Sequence, residues 1–151
     1  MKTINQIDLL IPGEPVGQIR PRFSAMLING KIQTHVTRSQ PEQEGYFKQM
    51  VLKQLPNDFE IYKGPVIIEI DCRMKRPKSH YRIGKNKNLI KKSAPLFPLK
   101  TPDWDNIGKF VCDCLNEIIW KDDKQIISGK VEKFYSKTAC TILKIKELAP
   151  A

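Results

Sequence analysis

The segment from Pro102 to Ile126, PDWDNIGKFVCDCLNEIIWKDDKQI, holds the residues best suited to chemistry. Asp103 and Asp105 stand where a loop meets the start of a helix. Lys109 follows one helical turn after Asp105, and the pair Asp122-Asp123 comes after the helix. Carboxylate oxygens are the ligands that hard divalent cations take. Cations held this way can activate a water and neutralise a leaving oxygen, as phosphodiester hydrolysis requires. Residues two apart diverge on a regular helix, so Asp103 is expected before the helix and Asp105 at or near its N-cap. Lys109 would stabilise negative charge on a phosphate in flight. Asp113, four residues on, is expected to orient that lysine. The plainer reading makes Asp105 a cap paired to Lys109, and Asp122-Asp123 a polar turn.

An acidic site needs a way to meet a polyanion, and the charge distribution supplies one. The formal net charge is +10. Ten Lys or Arg and no Asp or Glu lie between Arg73 and Lys100, whereas the other 16 basic residues balance the 16 acidic ones. The whole excess therefore sits in one stretch, and concentrated positive charge attracts nucleic acid. Lys75, Arg76, Lys78, Arg82, Lys85, Lys87, Lys91 and Lys92 are the expected groove. Arg20 and Arg22, flanking Pro21, read from the residues alone as a solvated loop, and Tyr81 and Phe97 are candidates for base stacking or for ordinary packing. The stretch lacks the amphipathic apolar face that membrane binding needs, and no apolar run reaches the length of a membrane span. No signal peptide is visible in Met1–Leu10. Cys72, Cys112, Cys114 and Cys140 follow no zinc spacing, so four reduced thiols in a cytoplasmic protein are expected. His35 and His80 lie far from the acidic motif and read as surface residues.

The elements that must position these groups follow from periodicity. Ile4–Ile11 and Val66–Met74 read as strands. Phe23–Val36 reads as a hairpin about Asn29-Gly30, a type I′ pair. Ser39 with Glu42 resembles a capping box for a helix to about Leu55. Asp105–Ile119 is the strongest helix: Ile107, Phe110, Val111, Cys114, Leu115 and Ile118 form one apolar stripe, with Asp105, Lys109 and Asp113 opposite. Trp120 is expected to anchor the end of that stripe in the core. Gln125–Phe134 and Thr138–Ile145 read as two strands paired through a turn near Ser136, and Lys75–Lys100 as a long basic loop. A single α+β domain of 151 residues follows, with two main helices on a mixed sheet.

At Asp103-x-Asp105-Asn106-x-x-Lys109, Asp113-x-Leu115-Asn116 and Trp120-x-Asp122-Asp123-x-Gln125-Ile126 the chain resembles the RusA family of Holliday-junction resolvases. Pro12-Gly13-x-Pro15 and Arg20-Pro21-Arg22 are similar to that family's N-terminal loop, although Gly17 and Gln18 stand where the family often has a lysine. The resemblance implies a homodimer that makes paired nicks in four-way branched DNA with Mg²⁺, Mn²⁺ being a substitute. It maps the metal-binding aspartates to Asp103, Asp105 and Asp123, with Asp122 assisting or flanking, and the catalytic lysine to Lys109, and it makes Arg20 and Arg22 phosphate contacts. Two rivals are a nuclease for flaps or forks and a non-catalytic nucleic-acid-binding protein that uses only the basic stretch.

Overall fold

The computed structural model describes residues 1–37 and 40–150. Strand β1 (Thr3–Pro12) is followed by a hairpin of β2 (Arg22–Ile28) and β3 (Lys31–Thr37), helix α1 (Pro41–Gln54) and β4 (Val66–Lys75). Helix α2 (Trp104–Leu115), β5 (Ile126–Ser136) and β6 (Cys140–Leu148) complete the chain. Four strands form one mixed sheet in the order β1-β6-β4-β5, and β2-β3 forms a second, two-stranded sheet. The α+β expectation therefore holds.

The main sheet is organised by β4. Val66, Ile68, Ile70, Cys72 and Met74 are buried in strict alternation, as a half-covered strand requires. β4 pairs parallel with β5 and antiparallel with β6. A parallel pair needs a crossover, and α2 provides it. The expected β5–β6 hairpin is thus corrected: the strands run in opposite directions, but β4 lies between them. Spanning two strand spacings takes about 10 Å, which the short link from Ser136 to Cys140 can cover at about 3.3 Å per residue. The turn near Ser136 is real, since the Ser136 hydroxyl bonds the main chain of Thr138. A turn signal does not say whether the next strand pairs or steps over its neighbour.

Helix α2 buries the expected stripe, Ile107, Phe110, Val111, Cys114 and Leu115. Each large apolar side chain so covered contributes roughly 1.5–3 kcal/mol. Phe110 meets Phe47 of α1 edge to face at 5.6 Å. The helix ends a turn sooner than its periodicity suggests, with Asn116 as C-cap and Glu117 at φ 65°. The early stop turns Ile119 and Trp120 inward, and both are fully buried. Trp120 donates its indole N–H to Asn116 Oδ1 at 2.8 Å, as a buried indole requires. At α1 the N-cap is Gln40, and its amide serves the 17–19 loop instead of the helix: Nε2 donates to Gly17 O and Oε1 accepts from Ile19 N. The cap expected at Ser39 lies outside the described residues. Pro41 fills the first helical position, where no N–H is missed.

The hairpin turns through Asn29 (φ 51°) and Gly30 (φ 73°), the double positive φ of a type I′ turn. Cross-strand partners share a face, so Phe23, Ala25 and Leu27 lie with Ile32 and Thr34. That face bears no charge, and Phe23, Leu27 and Ile32 are each more than 70% exposed.

Residues 76–103 are irregular without being a featureless loop. Two 3₁₀ turns, Lys78–His80 and Gly84–Asn86, and a bridge between Tyr81 and Ile90 shape the segment. Arg82 N donates to Leu89 O and Lys91 N to His80 O. Replacing Trp120 by Ala should cost about 3–5 kcal/mol, the range for deleting a buried aromatic, measured by urea unfolding. The exposed Phe97 should cost far less in the same assay.

Candidate active site

Helix α2 presents Lys109 on the face opposite its apolar stripe, and the 3₁₀ turn at Asp123–Gln125 brings Asp123 to the same place. A cavity of about 380 Å³ between α2 and the β4–β5 edge is lined by Trp104, Asp105, Lys109, Cys112, Asp123 and Lys130, among others. Lys109 Nζ lies 2.9 Å from Asp113 Oδ1 and 3.7 Å from Asp123 Oδ2. The Asp113 hydrogen bond, with the nearby Asp123 charge, holds the Lys109 ammonium above the ordinary lysine range. Lys109 is therefore cationic throughout neutral pH. Arg20 approaches Asp105 from the N-terminal loop at 3.8 Å.

Asp103 is the N-cap of α2, and Asp105 lies in the first turn. The carboxylate of Asp103 makes no capping hydrogen bond and lines a neighbouring cavity with Glu14, Gln18 and Asn106. Close packing joins the two loops there: a Cβ on Gly17 would stand 2.7 Å from Pro102 Cβ. Among the described residues, no three of His, Cys, Asp and Glu form a group that could hold an ion. The structure thus brings Asp105, Lys109 and Asp123 onto one wall and leaves Asp103 around the corner.

Asp122 has a different task. Its carboxylate accepts from Lys124 N at 3.0 Å, in a reciprocal capping box with Gln125. That hydrogen bond holds Asp122 below the usual carboxylate range. Gln125 fastens the whole turn. Its Oε1 accepts from Lys121 N and Asp122 N, and its Nε2 donates to Tyr62 O and Gly64 O. All four hydrogen-bonding positions of the amide are used, so the main chain bearing Asp123 is tied to the approach to β4.

The basic residues divide into two groups. Lys75, Lys78, Arg82, Lys85, Lys87, Lys91 and Lys92 are exposed, as is Arg20. The side chain of Arg22 lies outside the described residues. Arg76 is turned inward: its guanidinium donates to Pro95 O at 2.7 Å and lies over the Tyr135 ring at 5.4 Å. Its place in the groove is corrected, because a side chain only 9% exposed is spent on holding the segment down. His80 likewise is not a plain surface residue, since it meets the Tyr135 ring edge-on at 4.8 Å. Tyr81 is half-buried, and Phe97, though 54% exposed, packs on Phe134.

Sequence reasoning missed Cys112, Lys130 and Trp104 as cavity walls. The first had a signal: Cys112 lies seven residues, two helical turns, after Asp105. Burial, reinforced by Asp123 and Asp113, pushes its thiol up to about 11, so it stays protonated. The position of Lys130 depends on pairing β5 with β4, which no local pattern reveals.

Two carboxylates beside two lysines in one cavity are groups suited to attack on a phosphate ester. The chain belongs to the RusA endodeoxyribonuclease family, whose description, Endodeoxyribonuclease RusA, matches residues 12–146. It is also 37% identical over 145 residues to YqaN of Bacillus subtilis (strain 168), described as an uncharacterized protein; the match covers 95% of this chain and 97% of that one. Among the described residues, no helix is long and apolar enough to cross a membrane.

Asp113→Asn should lower the cleavage rate roughly 10-fold, as when a partner that orients a reacting group is lost. The same change should return the Lys109 titration toward the ordinary lysine value, as followed by NMR. The sign follows from linkage: the pair stabilises the fold below the unfolded lysine pKa, and that stabilisation is lost as pH rises through the raised folded value.

Proposed function

We propose that this chain is a Mg²⁺-dependent endonuclease that resolves four-way DNA junctions by paired hydrolytic nicks. The observation that carries the reading is the convergence of Asp105, Lys109 and Asp123, from two separate segments, on one cavity. The donor set fits the metal. Mg²⁺ keeps most of its waters and takes one or two protein carboxylates together with substrate phosphate. Asp105 and Asp123 would hold it, and Asp103, whose carboxylate no cap engages, would extend the set toward the adjoining cavity. When bound, the metal supplies an activated water and neutralises charge on the leaving oxygen; Mn²⁺ would serve in its place.

The chain's own groups do the rest. Lys109, fixed by Asp113, sets an ammonium where negative charge grows on the phosphate. Arg20 adds a second cation beside Asp105. The exposed lysines and arginines of residues 75–92 draw in the DNA backbone, while Arg76 and His80 keep that segment shaped for it. A non-catalytic DNA-binding protein would have no use for two carboxylates gathered beside Lys109 in one cavity, which favours the enzymatic reading.

Two cuts in a two-fold substrate call for two active sites, and cyclic dimers are the commonest assemblies. The uncharged outer face of the β2–β3 hairpin supports a self-complementary contact. It is the wrong surface for DNA, because it offers no cation, and a lone two-stranded hairpin is marginal without a partner.

The direct test incubates the protein with a synthetic four-way junction, linear duplex, flap and fork, with and without Mg²⁺. Symmetric nicking of the junction only with metal is expected. Preference for flaps or forks would reassign the substrate, and binding without cleavage of any substrate would end the enzymatic reading. Asp105→Asn and Asp123→Asn should each abolish cleavage and leave junction binding within a few-fold, read by gel shift in EDTA. Leu27→Glu with Ile32→Glu should convert a dimer to a monomer in light scattering; a dimer unaffected by the pair would remove the hairpin from the interface.

A further inference from the structure

Resting on the metal-dependent reading above, we infer that Lys133 is a positioning residue that sets the loop carrying Asp103 and the start of α2. Lys133 belongs to β5, and its ammonium donates to Lys100 O at 2.6 Å and to Pro102 O at 2.9 Å. Both carbonyls immediately precede Asp103. A lysine meant for DNA would extend into solvent. Lys133 instead spends its donors on main chain, with no carboxylate within 4.0 Å among the described residues.

The reason such a pin is needed lies in the cap. An Asp at an N-cap ordinarily accepts from the first-turn amides and so fixes the helix entry itself. Asp103 makes no such bond, which leaves its carboxylate available but the entry unsecured. The loop is secured from the sheet instead. Lys133 grips it just before Asp103, and Trp104 Nε1 donates to Val131 O at 3.1 Å just after. Two residues of β5, the Lys133 side chain and the Val131 carbonyl, thus bracket Asp103.

This role and a bare electrostatic one differ in sign. Removing a cation near carboxylates should tighten binding of a divalent ion. Removing a pin should weaken it, because the ligands lose their shared geometry. The test measures Mn²⁺ binding to the DNA-free, full-length protein by electron paramagnetic resonance. It also follows amide hydrogen exchange at residues 103–107 and junction binding in EDTA. Lys133→Met should weaken Mn²⁺ binding about 10-fold, in the range for losing an outer-shell partner, and speed exchange at those amides. Junction affinity should stay nearly unchanged, and Lys133→Arg should restore most of the loss. Mn²⁺ binding that is unchanged or tighter, or a loss confined to junction affinity, would overturn the inference. If Lys133→Met does not fold, Lys133→Gln, which keeps a donor, must give the same pattern in weaker form. Wild-type protein that neither binds Mn²⁺ nor cleaves junctions would sink the metal reading alone, since the exchange rates of the variant still test the pin.

Discussion

Burial of one helical stripe in the core between the main sheet and α1 governs most of what matters in this protein. Ile107, Phe110, Val111, Cys114 and Leu115 must face inward, away from water. Once they do, the 3.6-residue repeat leaves Lys109 and Asp113 no choice but the opposite side. The crossover from β4 through α2 to β5 then lays that side beside the parallel strand pair. The cavity is what remains between the helix start and the β5 edge. Its polar lining is a by-product of packing the apolar lining, so a defect in the stripe would disturb the site before it unfolded the chain.

In a chain of net charge +10 the excess of positive charge is segregated along the sequence from the acidic motif. The excess cations lie between Arg73 and Lys100, and the aspartates of the motif follow from Asp103 onward, on α2 and the turn after it. Lys109 lies among these carboxylates, and Asp113 binds it at 2.9 Å. Left unpaired, that ammonium would be drawn more closely to Asp123. Binding to Asp113 restrains it to 3.7 Å from Asp123.

The basic segment shows how a long irregular stretch can be given a shape. Arg76 caps Pro95 O, lies over Tyr135 and stands 3.4 Å from His80 Nδ1. Tyr135 N in turn donates to Leu96 O. One inward arginine and an aromatic ring on β5 hold both ends of the segment, and the remaining cations are left to face solvent. The same strand also supplies Lys133 and Val131 to the loop before α2, so β5 serves as the common anchor of the cationic surface and the acidic site.

Local chemistry is legible in the chain alone. The α2 stripe, the type I′ hairpin at Asn29-Gly30, the segregation of charge and the motif from Asp103 to Gln125 all depend on neighbours within a few turns, and all can be read from spacing. The resemblance to a nuclease family rested on that same motif. Long-range pairing is a different matter. Whether β6 sits beside β5 or steps over β4 depends on which arrangement best covers the alternating face of β4, and a short turn permits both. Folding alone decided that Arg76 turns inward, that Asp103 faces another cavity than Asp105 and Asp123, and that Lys133 reaches back to Pro102. Arg76 meets Pro95 across 19 residues, Lys133 meets Pro102 across 31, and Asp103 shares its cavity with the distant Glu14 and Gln18. Their meeting is set by how the layers pack, and a one-dimensional pattern carries no record of that.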